Sequence, residues 1–134
     1  MQGSEDKNST ALRFSQAIVG QRNLTVTTSG LPFGTWTTVR AVGQAYQTEN
    51  GTWRMRFNVS GNGSTNNNAG TFVIAGTVFK NIPSYRQAVA VHNASAAASG
   101  YTVPNTGEIT VNGGSSNIWG LSGDVELESK PSWA

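Results

Sequence analysis

Sixteen side chains of this 134-residue sequence are acidic or basic, and a single histidine, His92, stands beside them. The acids are Glu5, Asp6, Glu49, Glu108, Asp124, Glu126 and Glu128. Only the last three are spaced for joint chemistry. In Asp124-Val125-Glu126-Leu127-Glu128 they alternate with apolar residues, so an extended chain sets them on one face, about 7 Å apart at the ~3.3 Å rise of a strand. Glycoside hydrolysis uses two carboxyl groups about 5–10 Å apart. The same oxygens could attract Ca2+, which wants about six to eight ligands from converging loops. The plainer reading is a solvated acidic face. There is no cysteine, so disulfide frameworks and thiolate metal sites are excluded, and one histidine rules out a multi-histidine site. Gly-x-Ser-x-Gly, phosphate-loop and dinucleotide patterns are absent. We therefore assign no catalytic residue, metal or cofactor.

The remaining chemistry suits binding. Arg54 and Arg56 alternate with large apolar residues and must share the polar side of their segment, beside Asn58. They could hold an acidic sugar or phosphate, pair with a neighbouring subunit, or be solvated. Tyr46, Tyr85 and Tyr101 fall near the ends of extended segments, where loops carry binding functions. His92 does too, as a ligand contact or as a plain rim residue. Trp53 reads as core. Trp36, Trp119 and Trp133 are open, and an exposed one would suit sugar stacking. The residues selected as ligand-binding candidates are Tyr46, Arg54, Arg56, Tyr85, Arg86 and His92. Amides and hydroxyls exchange hydrogen bonds with sugar hydroxyls, an aromatic ring covers the apolar face of a pyranose, and arginine adds charge-assisted bonds.

Strands must position these groups. Gly, Ser, Thr and Asn fill 58 of the 134 positions, charged residues are only 12%, and Val leads the aliphatics. Val, Thr and aromatics among abundant turn formers favour short strands over helices. The net charge of +2 is small and the basic residues are scattered, which argues against a nucleic-acid partner. No apolar run approaches the ~20 residues of a membrane-spanning helix. The polar start MQGSEDKNST does not read as a signal peptide.

The clearest strand is Thr52 to Ser60. Trp53, Met55, Phe57 and Val59 line one face, and Arg54, Arg56 and Asn58 the other. Before it, Trp36 to Gln47 reads as a strand with Gly43 at a bulge, and Glu49-Asn50-Gly51 as a type I′ hairpin turn. Leu24/Val26, Val89/Val91 and Ile109/Val111 mark further strands. Ile118–Ser122 and Asp124–Glu128 read as two, split at Gly123. Asn93 to Gly100 reads as a small, flexible connection. Thr71 to Lys80 is apolar on both faces, as in a central strand covered twice, and predicts a symmetric oligomer. About eight short strands at 10–15-residue spacing predict an all-β, antiparallel β-sandwich or jelly-roll-like domain over residues 21–134. Residues 1–20 form a tail or shaft-connecting segment, in which Leu12, Phe14 and Ile18 could pack between chains.

Three stretches together resemble a known family. They are WTTVRAVGQAYQ (36–47) followed by GTWRMRFNVSG (51–61), VFKNI (78–82), and LSGDVELESKPSWA (121–134). They are similar to the C-terminal head domains of tailed-bacteriophage tail-fibre and receptor-binding proteins, and of related virion fibres. The resemblance covers roughly residues 22–134 and carries no residue-level binding motif. It implies a non-enzymatic homotrimeric head at a fibre tip on the virion. Such a head attaches to a host-surface glycan or protein receptor and joins other virion proteins through its N-terminal side. The alternatives are a purely structural fibre or capsid decoration knob, and a fragment of a polysaccharide depolymerase.

Overall fold

The computed structural model describes residues 18–29, 37–62, 69–82, 85–93, 98–113 and 118–133. Among them there is no helix. Nine strands, Ile18–Asn23 (β1), Val26–Ser29 (β2), Thr37–Gln47 (β3), Trp53–Asn62 (β4), Ala69–Ile74 (β5), Ala88–Asn93 (β6), Ala98–Thr102 (β7), Glu108–Gly113 (β8) and Ile118–Glu126 (β9), form one antiparallel sheet. Their order is β1-β3-β4-β9-β6-β7-β8-β5-β2. The sheet curls so far that its two edge strands, β1 and β2, are consecutive in the chain. At the junction the Leu24 N–H donates to Ala41 O of β3, and Thr25 O accepts from the Ala75 N–H, just past β5.

Alternation explains which side faces in. Met55, Phe57 and Val59 of β4 meet Phe72, Ile74, Ile109, Val111, Leu121 and Val125 in the buried core, with Trp53 packed at its margin. A one-residue slip of β4 would expose its large side chains, and this fixes the register. One end of the curl is closed by Phe79, fully buried and bridged to Leu127, with Trp133 packed against it.

β6 is shared between the two halves of the sheet. Ala88 and Val89 pair with β7, whereas Ala90 to His92 pair with β9. Just before β6, where the backbone is still bonded to Thr102 of β7 and has not yet reached β9, the side chain of Gln87 completes the β9 ladder. Its Nε2 donates to Glu126 O at 2.7 Å, and its Oε1 accepts from the Glu126 N–H. A part-buried backbone pair is thereby satisfied.

Several expectations need correction. Thr71 to Lys80 is not one strand: β5 stops at Ile74, Gly76 takes φ +81°, and Phe79 turns into the core while Val78 stays exposed. The doubly apolar strand that argued for an oligomer therefore does not exist. Gly43 sits in no bulge; it lies flat opposite Phe57, and a Cβ there would approach Leu24 to 2.9 Å. The hairpin after β3 takes positive φ only at Gly51 (+89°), whose N–H donates to Thr48 O, so it is a type I turn closed by a glycine and not type I′. Gly123 does not divide the last strand; it faces Phe57 inside a continuous β9. The connection expected at 93–100 holds the start of β7. There Gly100 faces the core so closely that a Cβ would lie 2.8 Å from Val89 and 2.9 Å from Val91. Residues 1–17, where Leu12 and Phe14 fall, lie outside the described residues, as does Trp36; β1 begins at Ile18.

Candidate functional site

The outer face of β1, β3, β4, β9 and β6 collects most of the candidate residues in cross-strand rows. Tyr46 lies opposite Arg54, and Arg54 opposite Glu126. The next row runs Gln21, Gln44, Arg56, Asp124. Then come Asn23, Val42, Asn58, Ser122 and Ala90. The fourth runs Arg40, Ser60, Gly120, His92.

At one end of this face the charges consume one another. Asp124 accepts from Tyr46 Oη at 2.5 Å, Arg54 Nε at 3.0 Å and Arg56 Nε at 3.3 Å. Arg54 also donates to Tyr46 Oη at 3.2 Å and to the Asp124 carbonyl at 3.1 Å. The Arg56 guanidinium lies 4.7 Å from the centroid of the Tyr46 ring, a cation–π contact. Burial pushes the Tyr46 phenol upward, helped by the bond it donates to Asp124 and opposed by Arg54. For Arg54, burial pulls downward, and the bonds to Tyr46 and Asp124 outweigh it, so the guanidinium is held above its ordinary value. Glu126 pairs with Lys80 at 3.5 Å. Asp124 and Glu126 are thus ion-pair partners, not the solvated acidic face expected, and only Glu128 keeps that role. No group of His, Asp and Glu able to hold a metal occurs among the described residues.

The other end is built by two β-bulges. In β3 the register slips between Thr38 and Arg40, and Val39, the extra residue, is 67% exposed. In β9 it slips between the partners of His92 and Asn93, and the extra residue is Trp119. Ile118 and Leu121 point into the core, while the bulge delivers the Trp119 ring to the outside, 50% exposed. Trp119 stacks on His92 with ring centroids 5.0 Å apart, and His92 Nε2 is 2.8 Å from Ser122 Oγ. Beside these, Gln21, Arg40, Gln44, Arg56, Asn58 and Ser60 line an open trough of about 780 Å3, with Val42, Gly43 and Phe57 completing it.

Of the six candidates, Tyr46, Arg54 and Arg56 come together, and His92 joins the same face nearer its other end. Tyr85 and Arg86 do not. Arg86 stacks over the ring of Tyr101 of β7 at 4.5 Å, on the other half of the sheet, and Tyr85 is an exposed residue whose N–H donates to Ile82 O. Sequence reasoning missed Arg40, Gln21 and Gln44 as trough residues, and Asp124 as the anchor of the arginines. The alternation of Arg40, Val42 and Gln44 through β3 was the available signal for two of them. No family model matches the chain, and neither does any curated protein or solved structure.

Proposed function

We propose that this chain is the head of a virion attachment fibre. In this reading it is a β-sandwich of jelly-roll type that binds a host-surface glycan without cleaving it and works as a homotrimer. The trimer and the virion setting rest on the family resemblance of segments 36–61, 78–82 and 121–134. The layered description is supported by the way β6 pairs with β7 at its start and with β9 at its end. The observation that carries the binding function is the outer face of the sheet, where amides, a hydroxyl and two guanidiniums of β1, β3 and β4 line one open trough and the half-exposed Trp119 stands on β9, the strand paired with β4. These are the groups a sugar needs: a ring to cover its apolar face and donors for its hydroxyls.

The test combines light scattering with adsorption to bacterial cells and to purified surface polysaccharides. A mass of three chains and saturable glycan binding, with no release of reducing sugar, are the expected results. Per-site affinity should lie at about millimolar to micromolar, made up by avidity. Attachment to virions with no binding to cells or glycans would make the chain a structural knob, and released reducing sugar would make it a depolymerase.

A further inference from the structure

The trough carries a sign as well as a shape. Two arginines, Arg40 and Arg56, line it, and no carboxylate does. Arg40 forms no ion pair among the described residues. Arg56 reaches Asp124 through Nε alone, its side chain is 62% exposed, and its terminal nitrogens make no hydrogen bond with the described residues. The Tyr46–Arg54–Asp124 cluster holds the stem of Arg56 in place while leaving the outer edge of its guanidinium open.

From Arg40 the fourth row crosses Ser60 and Gly120 to reach His92, with Trp119 stacked upon it. Three interstrand steps of ~4.8 Å make this about 14 Å, the reach of a short oligosaccharide. The two middle positions present a hydroxymethyl group and no side chain; the His92 ring leans to within 3.3 Å of where a Gly120 Cβ would stand, so the low floor lies at Ser60, between a basic end and an aromatic end that begins over Gly120. We infer that the outer face of β3, β4 and β9 binds an anionic oligosaccharide lengthwise. One pyranose lies against Trp119, and the acidic substituent of another is read by Arg40 and Arg56. This rests on the glycan-binding reading above and adds to it the ligand's charge and orientation. The acidic group is a carboxylate or a phosphate; a guanidinium fork accepts either with charge-assisted bonds.

The experiment uses the whole chain on arrayed oligosaccharides of three kinds: uronate- or sialate-containing, the same compounds after carboxyl reduction to alcohols, and phosphodiester-linked. Isothermal titration follows on the best binder. The wild type should prefer one of the two acidic sets over neutral sugars by about tenfold or more, and the preference should shrink as salt is raised. Arg40→Gln and Arg56→Gln should each lose about tenfold on the acidic ligand and little on a neutral one. Trp119→Ala should weaken both. Lys130→Gln, which removes an exposed cation from the C-terminal segment, controls for net charge and should bind as the wild type does. Equal wild-type binding to acidic and reduced sugars overturns the charge assignment and leaves glycan binding standing. So does acidic binding that Arg40→Gln and Arg56→Gln retain in full. Binding to none of the three sets overturns the glycan reading itself, and this proposal with it.

Discussion

The two ends of one sheet face are made from the same strands and behave as different materials. At the Tyr46 end, Asp124 gathers a phenol and two guanidiniums, and Arg54 donates through Nε and one terminal nitrogen to Asp124 and Tyr46. At the Trp119 end, a large ring is half exposed, Val39 stands out in solvent, and Arg40 forms no ion pair among the described residues. Saturated polar groups hold a surface still, and unsatisfied ones remain available to a ligand. Tyr46, Arg54 and Asp124 should therefore register in stability and the Trp119 end in binding, while Arg56, anchored at the first end and lining the trough, belongs to both.

The largest effect should strike both ends together. Phe57 lies beneath the face, in the core, and its ring fills the space that Gly123 leaves open. Phe57→Ala should cost about 3–5 kcal/mol in urea unfolding, as for a buried aromatic truncated in a packed core. A loss below ~1 kcal/mol would mean that the face is not seated on that core.

The next test separates the ends. Asp124→Asn removes the charge that Arg54 and Arg56 share. A hydrogen bond to a charged group contributes about 1.5–3 kcal/mol and an exposed ion pair about 0–1 kcal/mol; with the side chains of Arg54 and Asp124 30% and 36% exposed, the expected loss is about 1 kcal/mol. Arg40→Gln should change stability by no more than ~0.5 kcal/mol, as at an ordinary surface position. Equal losses from the two variants would erase the distinction.

The smallest effect is a pH dependence. The Tyr46 phenol holds its proton more tightly in the folded chain than in the unfolded one. Its contribution is complete below the unfolded value of about 10 and is lost as pH rises from there through the higher folded value. Chemical denaturation across alkaline pH should show a steeper decline for the wild type than for Tyr46→Phe. Parallel curves would mean that the phenol is not coupled to the fold.

How much of this was legible in advance varies with the segment. β4 was read correctly because nine residues alternate without interruption, and only an extended chain buries Met55, Phe57 and Val59 together. β7 was missed because Ala98-Ser99-Gly100 has little strand preference, and its glycine makes room for Val89 and Val91 of the preceding strand, a packing contact that no local pattern announces. The run from Thr71 to Lys80 was misread because apolar residues on both sides of a turn look like one doubly buried strand. The turn itself is carried by a glycine at φ +81°, beside Ser132 and Trp133. Among the candidate residues, Arg54 and Arg56 were placed on the right face by parity alone. Arg86 was grouped with them only by residue type, and its partner is the ring of Tyr101.

The sequence by itself determined that the chain is all-β and which side of its clearest strands faces inward, because both follow from local periodicity: which residues alternate, and where Gly, Asn and Pro break the alternation. The tertiary structure alone decided which strands became neighbours, and therefore which charges met. Arg54 and Asp124 are seventy residues apart, and nothing short of the β4–β9 register brings them to 3.0 Å. It also decided where the ladders slip. A bulge is a property of two strands, set by their mismatch in length between fixed contacts, so Trp119 could not be placed on the outer face from its own neighbours in the chain.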